Sequence, residues 1–148
     1  MGADEGVRAL QRKTAAAGAA LLVIAFATGG LLASAMTRSV DADVHAISAA
    51  HLNAIFGCLW LVALAATLPW LRFSLRGSRR LVYVTVLAAS ANWGITVIKA
   101  FLHVAGVGLT GDRANDLVFG ALGAAVVLPS FAAAIGWLYG LVGPRPAT

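Results

Sequence analysis

An all-α integral membrane protein, built as a four-transmembrane-helix bundle with both termini cytoplasmic, is the fold class that three features of this 148-residue sequence predict. The first is composition. Sixty per cent of the residues are hydrophobic and 11% are charged, where soluble domains have about 45–50% and about 25%, and the mean hydropathy is +0.86. The second is four apolar runs, near residues 14–36, 44–71, 81–107 and 117–142, each able to supply the roughly 20 residues a bilayer core demands. The third is the distribution of positive charge. Arg8, Arg12 and Lys13 precede the first run, Arg72, Arg76, Arg79 and Arg80 separate the second from the third, and Arg145 follows the fourth. The other two connections hold only Arg38 and Arg113, beside Asp41, Asp43, Asp112 and Asp116. Basic loops stay on the cytoplasmic side. A multi-pass protein of the bacterial inner membrane is therefore expected, with residues 1–148 forming a single membrane domain.

The same features exclude several classes. The sequence pI near 10.4 reports loop cations, not a nucleic-acid surface. The runs are too long, and too rich in Leu, Val, Ala and Phe, for barrel strands. One cysteine, Cys58, lies inside a run, so no disulfide framework or thiolate metal site is available. A packing role is expected for it.

The first run competes with a signal-peptide reading, because Ala33, Ser34 and Ala35 resemble a cleavage site. Its length exceeds the usual ~7–15-residue apolar core of such a peptide, which favours a span. The second run, SAAHLNAIFGCLWLVALAATLP, carries His51 and Asn53 near its start, with His45 at its outer mouth. The third, LVYVTVLAASANWGITVIKAFLHV, carries Asn92, Thr96, Lys99 and His103 at i, i+4, i+7 and i+11. On a helix these fall within about 60° of one another, as a single polar stripe. In the fourth, Ala132, Gly136 and Gly140 recur every four residues, as do Gly120 and Ala124. Small residues at that interval let backbones approach, within the bundle or between copies. Pro129 predicts a kink, and Trp70, Tyr83, Trp137 and Tyr139 lie near predicted span ends, as interfacial anchors do.

Lys99 costs on the order of 2.5–3.5 kcal/mol at a helix centre. It either snorkels to the outer interface or pairs with an anionic group in the interior. His51 and Lys99 both lie roughly 8–10 Å below the outer surface at 1.5 Å per residue, which suggests a shared buried site. Three roles stay open for His51: a satisfied structural histidine, a proton relay, or a metal or haem ligand. No HExxH, CxxC, phosphate loop or pair of intramembrane carboxylates occurs. One histidine would leave zinc under-ligated, whereas haem needs only an axial ligand from the protein. Asn53 lies about 200° around the helix from His51, so a helix–helix hydrogen bond is its expected role. For His45 an interfacial position is expected.

His51, Pro69 eighteen residues later and Asn92 twenty-three beyond that resemble the family of small four-span styrene oxide isomerases and hydroxylaminobenzene mutases. HLNAIFGCLWLVALAATLPWL and ASANWG are similar to the mutase branch, and GLT at 108–110 to the isomerase branch. The similarity covers about residues 48–140. The resemblance implies a homotrimer with haem b held between subunits and His51 as axial ligand to the iron. It implies a redox-neutral rearrangement of a small hydrophobic substrate arriving from the lipid bilayer, with Lewis-acid iron. Epoxide to carbonyl and arylhydroxylamine to aminophenol are the two reaction types. Asn92, Thr96 and Lys99 would serve as catalytic residues, and Lys99 and Asn53 would join His51 around the cofactor. Lys99 would pair with a haem propionate or donate a proton. Two positions depart from the family pattern: Gly57 stands where an asparagine follows the histidine by six residues, and Thr96 where the isomerase branch has a tyrosine. Asn53, one turn before Gly57, is a candidate to compensate. The alternatives are a non-catalytic haem protein (electron carrier or sensor) with His103 as second ligand, a small transporter, or a structural subunit.

Overall fold

A computed structural model describes residues 3–142. Among them, four helices are long and apolar enough to cross a bilayer. They are α1 (Ala3–Met36), α2 (Val44–Thr67), α3 (Leu75–Leu102), and a fourth span made of α4 (Arg113–Leu122), a π-helical turn (Gly123–Val127) and α5 (Leu128–Val142). A short 3-10 turn, Leu68–Trp70, carries Pro69 out of α2.

Side chains just outside the apolar runs set the helix starts. Asp43 accepts from the Ala46 amide at 2.6 Å, Ser74 from Gly77 at 3.4 Å and Asp112 from Asn115 at 2.9 Å, each satisfying an amide that the helix leaves orphaned. Within lipid-facing helices a hydroxyl must also find an internal acceptor. Thr14, Thr28 and Thr85 donate to the carbonyls of Leu10, Ile24 and Leu81 at 2.7–2.9 Å.

The helices outrun the apolar stretches at the basic end. α1 is helical from residue 3 and not from 14, and α3 from Leu75 and not from 81, because Arg and Lys are good helix formers and the Ser74 cap lies beyond Arg76, Arg79 and Arg80. At the acidic end α3 stops at Leu102, short of the expected 107. His103 adopts left-handed geometry at φ 52°, and Gly106 and Gly111 follow at φ 63° and 83°. Asn115 fastens this loop, accepting from the Gly106 amide at 2.8 Å and donating to the Gly108 carbonyl at 2.7 Å. The polar stripe of α3 therefore ends with Lys99, and His103 leaves the helical face.

α1, α2 and α3 pack together, and the fourth span lies mainly along α3. Ile47, Leu61 and Leu64 on α2 are fully buried between neighbours. Ala33–Ala35 lie within α1, and Ala35 is buried, so this segment is part of the bundle. At Gly57 three helices come close together: a Cβ there would meet Leu21 Cδ1 at 3.0 Å and Ala89 Cβ at 3.1 Å. Cys58 is buried and free beside it. Trp137 is not a lipid-facing anchor; its indole N–H donates to Thr67 Oγ1 at 2.9 Å, tying the fourth span to the end of α2. Trp70, Tyr83 and Tyr139 are exposed.

Candidate functional site

His51 and Asn53 leave α2 toward different neighbours. His51 is half-buried against α1, with Nδ1 2.8 Å from the Ala25 carbonyl oxygen. A carbonyl only accepts, so Nδ1 carries the proton and Nε2 presents a lone pair. Every buried side-chain nitrogen or oxygen among the described residues has a partner. Nε2 has none, so it reaches the surface of the chain. Gly29 makes the fit possible: a Cβ there would stand 3.3 Å from His51 Cε1 and 3.5 Å from Nδ1.

Asn53 turns the other way, into the α2–α3 contact. Its Nδ2 donates to Asn92 Oδ1 and to Thr96 Oγ1, both at 3.1 Å, and the Thr96 hydroxyl donates to the Asn92 carbonyl at 2.6 Å. Three polar residues from the sequence-level site thus meet in one cluster. Asn53 Oδ1 and Asn92 Nδ2, one acceptor and one donor, make no other hydrogen bond among the described residues.

Lys99 does not join them. Its Nζ donates to the Ala105 carbonyl at 3.1 Å, closing the loop after α3, and no carboxylate pairs with it among the described residues. Asp43 N–H reaches the Ala100 carbonyl at 3.0 Å, which sets Lys99 about two turns nearer the acidic end than His51. His103 stands 3.4 Å from Asp41 at the exposed rim, and His45 is exposed.

Sequence reasoning missed Ala25, Gly29, and the 2.9 Å bond from the Trp93 indole to Thr28 Oγ1 that ties α3 to α1. Thr28, Gly29 and Gly30 in succession, inside an apolar run, were the available signal that a neighbour approaches closely there. Among the described residues no three His, Cys, Asp or Glu side chains cluster as a metal site.

A family model described as styrene oxide isomerase matches residues 10–142, most of the chain. The chain belongs to the styrene oxide isomerase family. Curated proteins and solved structures gave no match. Membership makes this a membrane isomerase in class, and the bundle supplies the four spans. It also sharpens the two departures. Any side chain at position 57, including the asparagine that the resemblance implies there, would need to push Leu21 and Ala89 aside. Asn53, one turn earlier, directs its amide at α3 instead. Thr96 is buried and engaged with Asn53 and Asn92, so it occupies less of the bundle than a tyrosine would.

Proposed function

We propose that this family member is a haem b-dependent isomerase, assembled as a homotrimer, in which His51 Nε2 is the axial ligand of the iron. The observation that carries the reading is the Nδ1–H donated to Ala25, which orients the imidazole and leaves Nε2 unpartnered at the surface. A backbone carbonyl behind a ligating histidine fixes its tautomer and ring orientation. Gly29 gives the ring room, and a nitrogen at the chain's edge is open to a cofactor shared with another copy. The residues present therefore fit the group.

Bound haem would supply a Lewis-acidic iron for a substrate oxygen. The chain's residues do the rest. Asn53 Oδ1 and Asn92 Nδ2 offer an acceptor and a donor to orient a small polar group; the two amides hold each other through Asn53 Nδ2 and Asn92 Oδ1, and Thr96 accepts a second bond from Asn53 Nδ2. Lys99, half-buried with one hydrogen bond, would meet a propionate carboxylate. The substrate is small and hydrophobic, reaching the site from the bilayer past apolar side chains such as Leu52 and Phe56, both exposed on α2. The reaction is redox-neutral, an aryl epoxide rearranging to its carbonyl isomer or an arylhydroxylamine to an aminophenol. A bis-histidine electron carrier finds no support, because His103 sits at the rim beside Asp41.

The test is an absorption spectrum of the haem-supplied, detergent-purified protein beside His51→Ala, followed by assays with an aryl epoxide and an arylhydroxylamine. A Soret band in the wild type and its loss in the variant are expected, with isomerase activity lost in parallel. A haem-supplied wild type without a Soret band overturns the cofactor assignment.

A further inference from the structure

At the end of the bundle opposite to His51, α1 and α3 enclose an open groove that the proposed chemistry does not use. Ala9, Lys13, Arg79, Val82, Tyr83 and Val86 are among its lining residues, and its volume is about 530 Å³. Asn53 is level with Thr96, and Arg79 lies seventeen residues before Thr96 on the same helix. That places the cationic end of the groove about 20–25 Å from the Asn53 cluster along the bundle. A second depression along α1 shares Ala9 and Lys13 and adds Arg12.

Three observations define what this groove would hold. Lys13 and Arg79 make no ion pair or hydrogen bond among the described residues, and no carboxylate lines either depression. The nearby Asp4 borders a different hollow, with Arg8. Both cations stand just before the apolar run of their helix, which begins at 14 in α1 and 81 in α3, so they share one depth at the bilayer surface. Tyr83 is exposed beside them, at the level where phenols favour the interface. Below the cations the wall is Val82 and Val86. The groove is thus cationic at headgroup depth and apolar where an acyl chain would run.

We propose that this groove is a binding site for an anionic phospholipid. The Arg79 guanidinium and the Lys13 ammonium flank its phosphate, since a guanidinium fork matches phosphate oxygens and an ammonium serves as a point charge. The Tyr83 hydroxyl is a third donor at the rim, and one acyl chain lies on Val82 and Val86. Basic pockets between membrane helices take anionic headgroups on the same physical grounds. Lys13 keeps its head at the surface while its methylene stem lies on the groove wall.

Native mass spectrometry of the intact detergent-purified assembly, titrated with phosphatidylglycerol or phosphatidylcholine, tests this. The wild type should bind roughly thirty-fold more of the anionic lipid, the preference expected from two cations at a membrane surface. Lys13→Gln with Arg79→Gln should reduce it to the phosphatidylcholine level. Ala9→Trp, which fills the groove and keeps both cations, should also lower it. Arg76→Gln, at the same end but outside the groove, should leave it unchanged. Circular dichroism and a thermal melt matching the wild type certify the variants. Equal binding of the two lipids overturns the proposal, as does an equal loss in Arg76→Gln, which would mean diffuse attraction. Displacement of the lipid by excess inorganic phosphate, or a second copy cross-linked over Tyr83, overturns it as well.

Discussion

Asn53 spends both protons of its amide on the third helix, on Asn92 Oδ1 and Thr96 Oγ1. Hydrogen bonds between membrane helices average about 0.6 kcal/mol and reach about 1.7. Asn53→Leu should therefore lower stability by roughly 1–2 kcal/mol, read as a lower melting temperature by circular dichroism in detergent. The ligation proposed for His51 should persist in the variant, because His51 faces α1 and is held by Ala25. A melting temperature equal to wild type would show that the Asn53 bonds add nothing to the helix contact. Residue types and helical angles were legible here: the offset between His51 and Asn53 follows from 100° per residue. Their partners were legible in part. Asn92 and Thr96 announce themselves as polar residues in an apolar run. The Ala25 carbonyl does not, since every residue carries one, and Gly29 contributes by having no side chain at all.

Helix existence was readable from apolar length, whereas helix ends depend on single side chains and backbone turns. α3 ends at the left-handed His103, and nothing in LHVAG marks that residue as the stop; a histidine does so only because the Asn115-fastened loop holds it. The fourth span shows the same division. Pro129 lies just beyond a π turn in which the Leu128 amide reaches the Gly123 carbonyl, so the irregularity begins earlier than the proline alone implies. Its small residues also separate into two kinds. A Cβ on Gly140 would stand 2.7 Å from Phe73 Cε2 and 3.0 Å from Leu71 Cδ2, while one on Gly120 meets nothing within 4 Å. The Gly140 carbonyl also accepts from the Arg72 amide at 2.9 Å, so this glycine docks α5 onto the connection between α2 and α3. Gly140→Ala should cost about 1–3 kcal/mol by overpacking, whereas Gly120→Ala should be neutral or add up to about 1 kcal/mol of helix propensity. Chemical or thermal unfolding of the two variants measures the contrast. Equal effects would mean that both glycines serve one kind of contact.

At the scale of the whole molecule, four spans were legible because lipid leaves a chain so few choices: backbone groups must be satisfied within each helix. How the spans group was not, because all four have similar apolar composition; the fourth lies mainly on α3, where Gly136 meets Leu81. The direction of the bundle follows from charge. Arg8, Arg12, Lys13, Arg72, Arg76, Arg79 and Arg80 belong to one end, and the connections at the other carry Arg38 and Arg113 among carboxylates. This asymmetry should hold the basic end in the cytoplasm. Green fluorescent protein fused at the C-terminus should then fluoresce, and alkaline phosphatase fused there should be silent. Truncating the chain after Ser39 and fusing the same reporters should reverse both signals, since one span then separates them from the N-terminus. Phosphatase activity at the C-terminus would invert the bundle. The expected orientation also puts Lys13 and Arg79 against the cytoplasmic leaflet, whose anionic lipids give that leaflet its negative surface potential. Topology and the lipid groove thus draw on shared cations: Lys13 and Arg79, which help to orient the chain, make no ion pair among the described residues and stand at headgroup depth, where an anionic lipid can meet them.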